Sequence, residues 1–120
     1  MNGEVDNSGR AIVLLLVRAS ADANATRLAA WVDTAFTGDL VIPRETIEGL
    51  GLRQSAAVTA GLADGTQVVL ATYSCVVEWF GGQRIVEVVE NDGQVPLLGV
   101  GLLQDRRLEI DYRSRTILIE

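Results

Sequence analysis

Asp33 is the side chain that most needs a chemical explanation. It follows an apolar run, Thr26 to Val32, and opens the turn Asp33-Thr-Ala-Phe-Thr-Gly38. The turn leaves as a second apolar run, Leu40-Val-Ile, which stops at Pro43. A lone carboxylate at the end of an apolar strand is expensive unless it is hydrogen-bonded or partnered. Two readings stand on these residues alone: an ordinary turn acid, since Asp, Thr and Gly are common in turns, or an acid held for chemistry. The chain has no His, which removes Ser-His-Asp and Cys-His nucleophilic schemes and most zinc sites. No metal and no cofactor is expected. Glu87 and Glu90 are too isolated to make a catalytic carboxylate pair, and Asp39 reads as a surface or turn acid.

The elements around this turn belong to one domain. A chain of 120 residues at 48% hydrophobic buries a real core, mostly aliphatic because aromatics are only 5%. A net charge of −6, with ten Arg and no Lys, argues against nucleic acid and against anionic membrane surfaces as partners. Ala11 to Val17 is apolar but too short to span a bilayer, and the polar, acidic segment before it is unlike a basic signal leader. Cys75 is the only cysteine. It forms no intrachain disulfide, suits a reducing compartment, and reads as a buried structural thiol. A cytoplasmic location is expected.

In chain order, residues 1–10 read as a flexible terminus, and residues 11–120 as the single domain. Ala11 to Arg18 is a continuous aliphatic run, consistent with a strand buried on both faces. Thr26 to Val32 is the next strand. Pro43 ends the short strand after the turn and starts a helix over Arg44 to Leu50, with Glu45 in its first turn and Gly49 and Gly51 as its stop. Val58-Thr-Ala-Gly-Leu and Gln67-Val-Val-Leu flank Asp64-Gly65, a two-residue hairpin signal. Gly81-Gly82 turns into a strand over Arg84 to Glu90, and Asn91 to Gln94 turns again. Pro96 to Leu103 is apolar, with a brief helix expected over Gly101 to Arg106. Leu108 to Tyr112 and Thr116 to Glu120 alternate as a closing hairpin whose Leu108, Ile110, Ile117 and Ile119 should be buried. Trp31 and Trp79 read as core or interface packing, and Arg106-Arg107 as a solvated turn. Many short strands with one or two short helices make this an all-β chain, a small closed barrel or folded sheet.

An apolar strand into Asp-Thr-small, then a β-hairpin, then Leu97-Leu98-Gly99 and a short helix, resembles the retropepsin-like aspartic proteases over nearly the whole chain, from Ala11 to Glu120. The terminal hairpin looks most like small bacterial members and the protease domain of eukaryotic ubiquitin-shuttle proteins. The first motif typically reads Val-Asp-Thr-Gly-Phe-Thr-Gly, against Val32-Asp-Thr-Ala-Phe-Thr-Gly38 here. The resemblance implies a small closed barrel acting as a homodimer on peptide or protein substrates. Asp33 of each chain would be the catalytic acid, the pair sharing one proton and activating a water. It further implies that Thr34 braces the dyad beside Ala35. Phe36 and the flap residues Ala63, Asp64, Gly65 and Thr66 would bind substrate, and the flap would be the most mobile segment. The terminal hairpin would supply much of the dimer contact. Ala35 stands where the family has Gly, and it leaves two functions open: an active endopeptidase, or a protease-fold dimer that binds extended peptides or serves in assembly. An unrelated small barrel, in which Asp33 only caps a turn, is the third reading.

Overall fold

The computed structural model describes residues 1–120, the side chain of Val58 excepted. Ten strands and two short helices follow in the order β1 (Asn2–Val5), β2 (Ala11–Arg18), β3 (Thr26–Val32), β4 (Leu40–Pro43), α1 (Arg44–Leu50), β5 (Arg53–Gly61), β6 (Gln67–Trp79), β7 (Gly82–Asn91), β8 (Leu97–Leu98), α2 (Val100–Leu103), β9 (Leu108–Asp111) and β10 (Thr116–Ile119). Strands β6, β7, β4, β8, β3 and β2 pair in that order, and a β6–β2 pairing at Val17↔Val77 and Arg18↔Val76 closes them into a ring. The all-β, closed architecture expected from the pattern is therefore present. Among the described residues no helix is long and apolar enough to cross a membrane.

The ring encloses an aliphatic core. Val13, Leu15 and Val17 from β2 meet Ala30 and Val32 from β3, Leu40 and Ile42 from β4, Val77, Val88 and Leu98, all 7% exposed or less. Burial of this kind is the main favourable term in folding. The expectation that β2 is covered on both faces fails. Its pattern alternates, leaving Leu14 58% and Leu16 37% exposed. A continuous aliphatic run cannot by itself report whether its second face is covered.

The terminus expected to be flexible is instead partly strand. β1 pairs with β10 (Asn2↔Leu118 to Glu4↔Thr116) and with β2 (Glu4↔Ile12, Val5↔Ala11). Gly3 permits that approach, since a Cβ there would lie 2.8 Å from Val13 Cγ1 and closer still to the Ile12 carbonyl. β10 in turn pairs with β9. Arg107 and Glu120 extend this hairpin by reciprocal backbone hydrogen bonds of 2.8 and 3.0 Å, and their side chains form an ion pair at 2.7 Å. Ile117 and Ile119 are buried, while Leu108 and Ile110 are half-buried. β9 lies at the end of the strand order, so its outer edge is unpaired within the chain.

Helix α1 ends as the glycines suggest, although only Gly51 is the stop. Gly51 takes φ 67° and donates back to Glu48 and Ile47 carbonyls, whereas Gly49 lies inside the helix. Pro43 is the N-cap rather than the first helical residue. α2 begins at Val100, one residue before the expected start, and ends at Leu103. Arg106 and Arg107 are exposed after a turn, as expected, and the Arg106 guanidinium lies 3.7 Å over the Phe80 ring, which meets Trp79 edge-on at 5.0 Å. Phe80 (φ 49°) and Gly81 (φ 82°) form the left-handed two-residue turn between β6 and β7.

Candidate active site

β3 delivers Asp33 because its residues alternate between the core and the outer face. Leu28, Ala30 and Val32 point inward, so Trp31 and Asp33 share the outer side. Trp31 is accordingly 40% exposed, with the Arg10 guanidinium 5.9 Å from its ring; within one chain it is not a core residue. Trp79, at 7% exposed, is.

The chain then loops from Asp33 to Asp39, and the segment Leu97–Gly101 passes directly behind. β8 pairs parallel with β3 (Trp31↔Leu97, Val32↔Leu98) and antiparallel with β4 (Leu40↔Leu98, Val41↔Leu97). Backbone hydrogen bonds lock the crossing: Asp33 N–H to the Leu98 carbonyl at 2.8 Å, Gly99 N–H to Asp39 at 2.8 Å, Val100 N–H to Phe36 at 2.9 Å, and Gly101 N–H to Gly38 at 2.9 Å. The two motifs picked out by sequence, 65 positions apart by the numbering of Asp33 and Leu98, are thus one structural unit.

Within the loop, Asp33 Oδ1 accepts a 3.0 Å hydrogen bond from Ala35 N–H, and its backbone carbonyl accepts from Phe36 N–H at 3.2 Å. Among the described residues Oδ2 has no hydrogen-bond partner. Thr34 and Ala35 are exposed. Ala35 is not among the residues with positive φ, so the turn places no left-handed demand on a position where the family has Gly. Phe36 is half-buried and folds its ring under the loop, where a Cβ on Gly38 would lie 2.5 Å from its Cζ. Behind it, Gly99 is extended (φ −95°, ψ 174°). A Cβ there would lie 2.8 Å from the Phe36 carbonyl and closer to the Gly38 carbonyl and the Phe36 ring. Space, and not backbone freedom, fixes glycine at this position.

The β5–β6 hairpin is long and two-stranded, with pairs from Arg53↔Ser74 to Gly61↔Gln67 and a bulge between Gln54 and Ala56. Its turn differs from the two-residue form that Asp64-Gly65 suggests. Only Gly65 (φ 87°) is left-handed; Asp64 is not. The Gly65 N–H donates to the Leu62 carbonyl at 3.0 Å and the Leu62 N–H to Thr66 at 2.7 Å. This is a type I turn over Leu62–Gly65 followed by a glycine bulge. Asp64 Oδ1 accepts from the Thr66 hydroxyl at 2.6 Å and from the Thr66 N–H at 2.9 Å. The hydroxyl bond first, then the amide bond, holds the Asp64 carboxyl below its ordinary range. Among the described residues no hydrogen bond joins Ala63, Asp64, Gly65 or Thr66 to the Asp33 loop. At the base of the hairpin the fully buried Thr72 hydroxyl meets Ser55 Oγ at 3.2 Å.

Asp39, read from the sequence as a surface or turn acid, is half-buried in the bend before β4. The sequence did not foretell its partner: Oδ2 accepts from Glu87 N–H at 3.1 Å. The only signal for this was its place at the start of β4, one residue before a strand that had to pair with something. Cys75 is buried as expected, 1% exposed; burial, and secondarily the charge of Asp39, push its thiol up to about 12. An open concavity of about 1190 Å³ lies between β1, the outer face of β2 and the Gln94–Pro96 turn, and Asp33 does not line it.

No protein-family model and no curated protein matches the chain. Solved structures do. A retropepsin-like aspartic protease from Rickettsia conorii superposes with a TM-score of 0.70 at 17% identity, covering 99% of this chain and 88% of that one. The EIAV protease complexed with the inhibitor HBY-793 gives 0.63 at 20% identity, covering 83% and 90%. The retroviral protease-like domain of Ddi1 from Leishmania major gives 0.50 at 15% identity, covering 91% and 88%. Likeness at these identities is likeness of fold, and the chain has the fold of the retropepsin-like aspartic proteases.

Proposed function

We propose that the protein is a homodimeric aspartic endopeptidase in which Asp33 of each chain forms the catalytic pair. The observation that carries this reading is the Asp33 loop itself. An outward-facing carboxylate has one oxygen held by Ala35 N–H, on a loop tied by four backbone bonds to the segment crossing behind it. Such over-determination is what a reacting group requires and a surface turn does not. One chain holds one such loop, so a two-acid site needs a second copy across a two-fold axis. The free outer edge of β9 and the half-buried Leu108 and Ile110 support the terminal hairpin as part of that contact. β1 and β10 already pair within the chain, so they supply no argument for a partner.

In this reading the two carboxyls share one proton, because two like charges so close do not both ionise. The ionised Asp33 takes a proton from a water whose oxygen attacks the scissile carbonyl carbon. The protonated Asp33 donates to the carbonyl oxygen, and the gem-diol collapses as the leaving nitrogen receives a proton. Thr34 braces the two turns, Phe36 and the Ala63–Thr66 turn contact substrate, and the β5–β6 hairpin closes as a flap over a peptide bound as an added strand. No metal or cofactor takes part. A reducing, cytoplasmic compartment fits the single buried thiol. The absence of a left-handed φ at Ala35 favours the active enzyme over the inactive assembly.

The test is cleavage of a peptide library at mildly acidic and neutral pH, with Asp33→Asn as control, beside sedimentation of both proteins. Cleavage that disappears in Asp33→Asn is expected. A dimer that cleaves nothing supports the peptide-binding or assembly role; a folded monomer at micromolar concentration refutes the dyad.

A further inference from the structure

The backbone ties of the 33–39 loop run to Leu98, Gly99, Val100 and Gly101, on one side of the ring. Its side-chain tie to the other side is the Asp39 carboxylate, whose Oδ2 accepts from Glu87 N–H on β7 at 3.1 Å. The register explains why a carboxylate is there. The parallel β4–β7 ladder begins at Leu40↔Val88, so Asp39 and Glu87 face one another one step before the first pair. The Asp39 backbone carbonyl is already engaged by Gly99 N–H, and the side chain supplies the acceptor in its place. β7 is also the strand against which β6, the return strand of the long hairpin, is paired, from Thr72↔Val89 to Trp79↔Gly82.

Gly101 completes the arrangement. A Cβ on Gly101 would fall against Asp39 Oδ1, and 2.9 Å from both the carbonyl carbon and oxygen of Gly38. Gly101 does not carry a positive φ, so the glycine is required by volume. The carboxylate of Asp39 occupies the space that a side chain at 101 would otherwise fill, and the two positions are complementary in size.

We propose that Asp39 is a positioning residue for Asp33: its carboxylate, seated in the space left by Gly101, fixes the Asp33 loop to β7 and so sets the acid relative to the strands of the long hairpin. This rests on the endopeptidase reading for its consequence, but the link itself is measurable without activity. The Asp39 side chain makes its hydrogen bond to Glu87 and none to Asp33, so in this proposal it acts through the loop.

The experiment compares the parent chain with Asp39→Ala and Asp39→Asn. Two things are read: amide hydrogen exchange by residue, and kcat and KM on a peptide the parent cleaves. Asp39→Ala should speed exchange at Glu87 and in the 33–39 loop by about tenfold, the scale of one hydrogen bond, with β2 unchanged. It should lower kcat by about tenfold or more with KM within about twofold, since peptide contacts are untouched. Asp39→Asn keeps an acceptor oxygen and recovers most of both losses. The proposal is overturned if Asp39→Ala exchanges and turns over like the parent. It is equally overturned if its exchange rises throughout the core, or if Asp39→Asn, folded and dimeric, recovers neither readout. Should the parent cleave no peptide, the endopeptidase reading falls separately and the exchange data decide the link.

Discussion

Gly99→Ala is the sharpest test of the crossing behind Asp33. The position is extended, a conformation any residue adopts, so no backbone strain accompanies the change. The added methyl would meet the Phe36 carbonyl oxygen at 2.8 Å and others more closely, against an ordinary contact of 3.4 Å or more. Each neighbour must therefore recede by about half an ångström or more, a substantial overpacking. Two of those neighbours, the Phe36 and Gly38 carbonyls, are the acceptors for Val100 and Gly101 N–H at 2.9 Å. Overpacking strain of about 1–3 kcal/mol and one or two weakened hydrogen bonds at about 1 kcal/mol each together give about 2–5 kcal/mol. For a domain of this size the melting temperature should fall by about 10–20 °C, compared at one protein concentration. If the loop yields instead of the segment behind it, the Asp33 carboxyl shifts by a comparable distance. Cleavage should then fall on the order of a hundredfold even in the fraction that stays folded. Calorimetry and single-turnover kinetics on the same preparation separate the two losses. A variant that melts within about 2 °C of the parent and cleaves at the parent's rate would refute the packing argument, which rests on these distances.

Other expectations can be checked alongside it. Gly49→Ala, inside α1 with nothing within 4 Å of the new Cβ, should stabilise by about 0.5–1 kcal/mol, and a lowered midpoint in denaturant would contradict the helix assignment. Cys75, held protonated up to about 12, should resist a maleimide at pH 8 until the chain unfolds. Because the unfolded thiol ionises first, stability should decline as pH rises from about 9 toward 12, a limb that Cys75→Ala flattens. Asp64, with its carboxyl lowered by Thr66, should keep the Thr66 amide hydrogen-bonded as pH falls through the ordinary carboxylate range and release it only below. An NMR titration showing release within or above that ordinary range would count against the turn described. On the proposed function, Ala35→Gly should leave cleavage unchanged or raise it; a clear loss of rate would mean that the methyl contributes to the proposed Asp33 pair.

Most of the ring was legible in the sequence because β2, β3, β4, β6 and β7 each carry an aliphatic face with turn residues at their ends. β1 was not. Asn2-Gly-Glu-Val has no strand composition, and its pairing depends on Gly3 letting backbone approach backbone beside Ile12 and Val13. The outer face of β2 was misjudged for the opposite reason: Leu14 and Leu16 look like core residues, and only the register with β3 shows them outward. The hairpin at Asp64-Gly65 was found but its turn type was not, because Asp-Gly supports both a two-residue turn and a type I turn with a glycine bulge. The link from Asp39 to Glu87 was beyond reach, since nothing in the sequence states that positions 48 apart face each other across a parallel pair.

The two motif positions where the family carries glycine, 35 and 99, illustrate what a motif constrains. At 99 the limit is set within one chain. The atoms a side chain would strike belong to Phe36 and Gly38 of the same loop, and they are engaged in hydrogen bonds that define it. At 35 the local chain imposes no such limit: the residue is exposed, its φ is not left-handed, and its N–H already supports the Asp33 carboxylate. In the proposed dimer, a requirement for glycine at 35 would then come from outside the chain, from the facing turn of a partner or from a bound peptide. On that reading variation at 35 changes what the Asp33 pair accepts, and variation at 99 changes whether the Asp33 loop exists. The Ala at 35 accordingly leaves the fold intact, and on the same reading its effect should appear in cleavage and in dimer affinity, not in the melting of the domain.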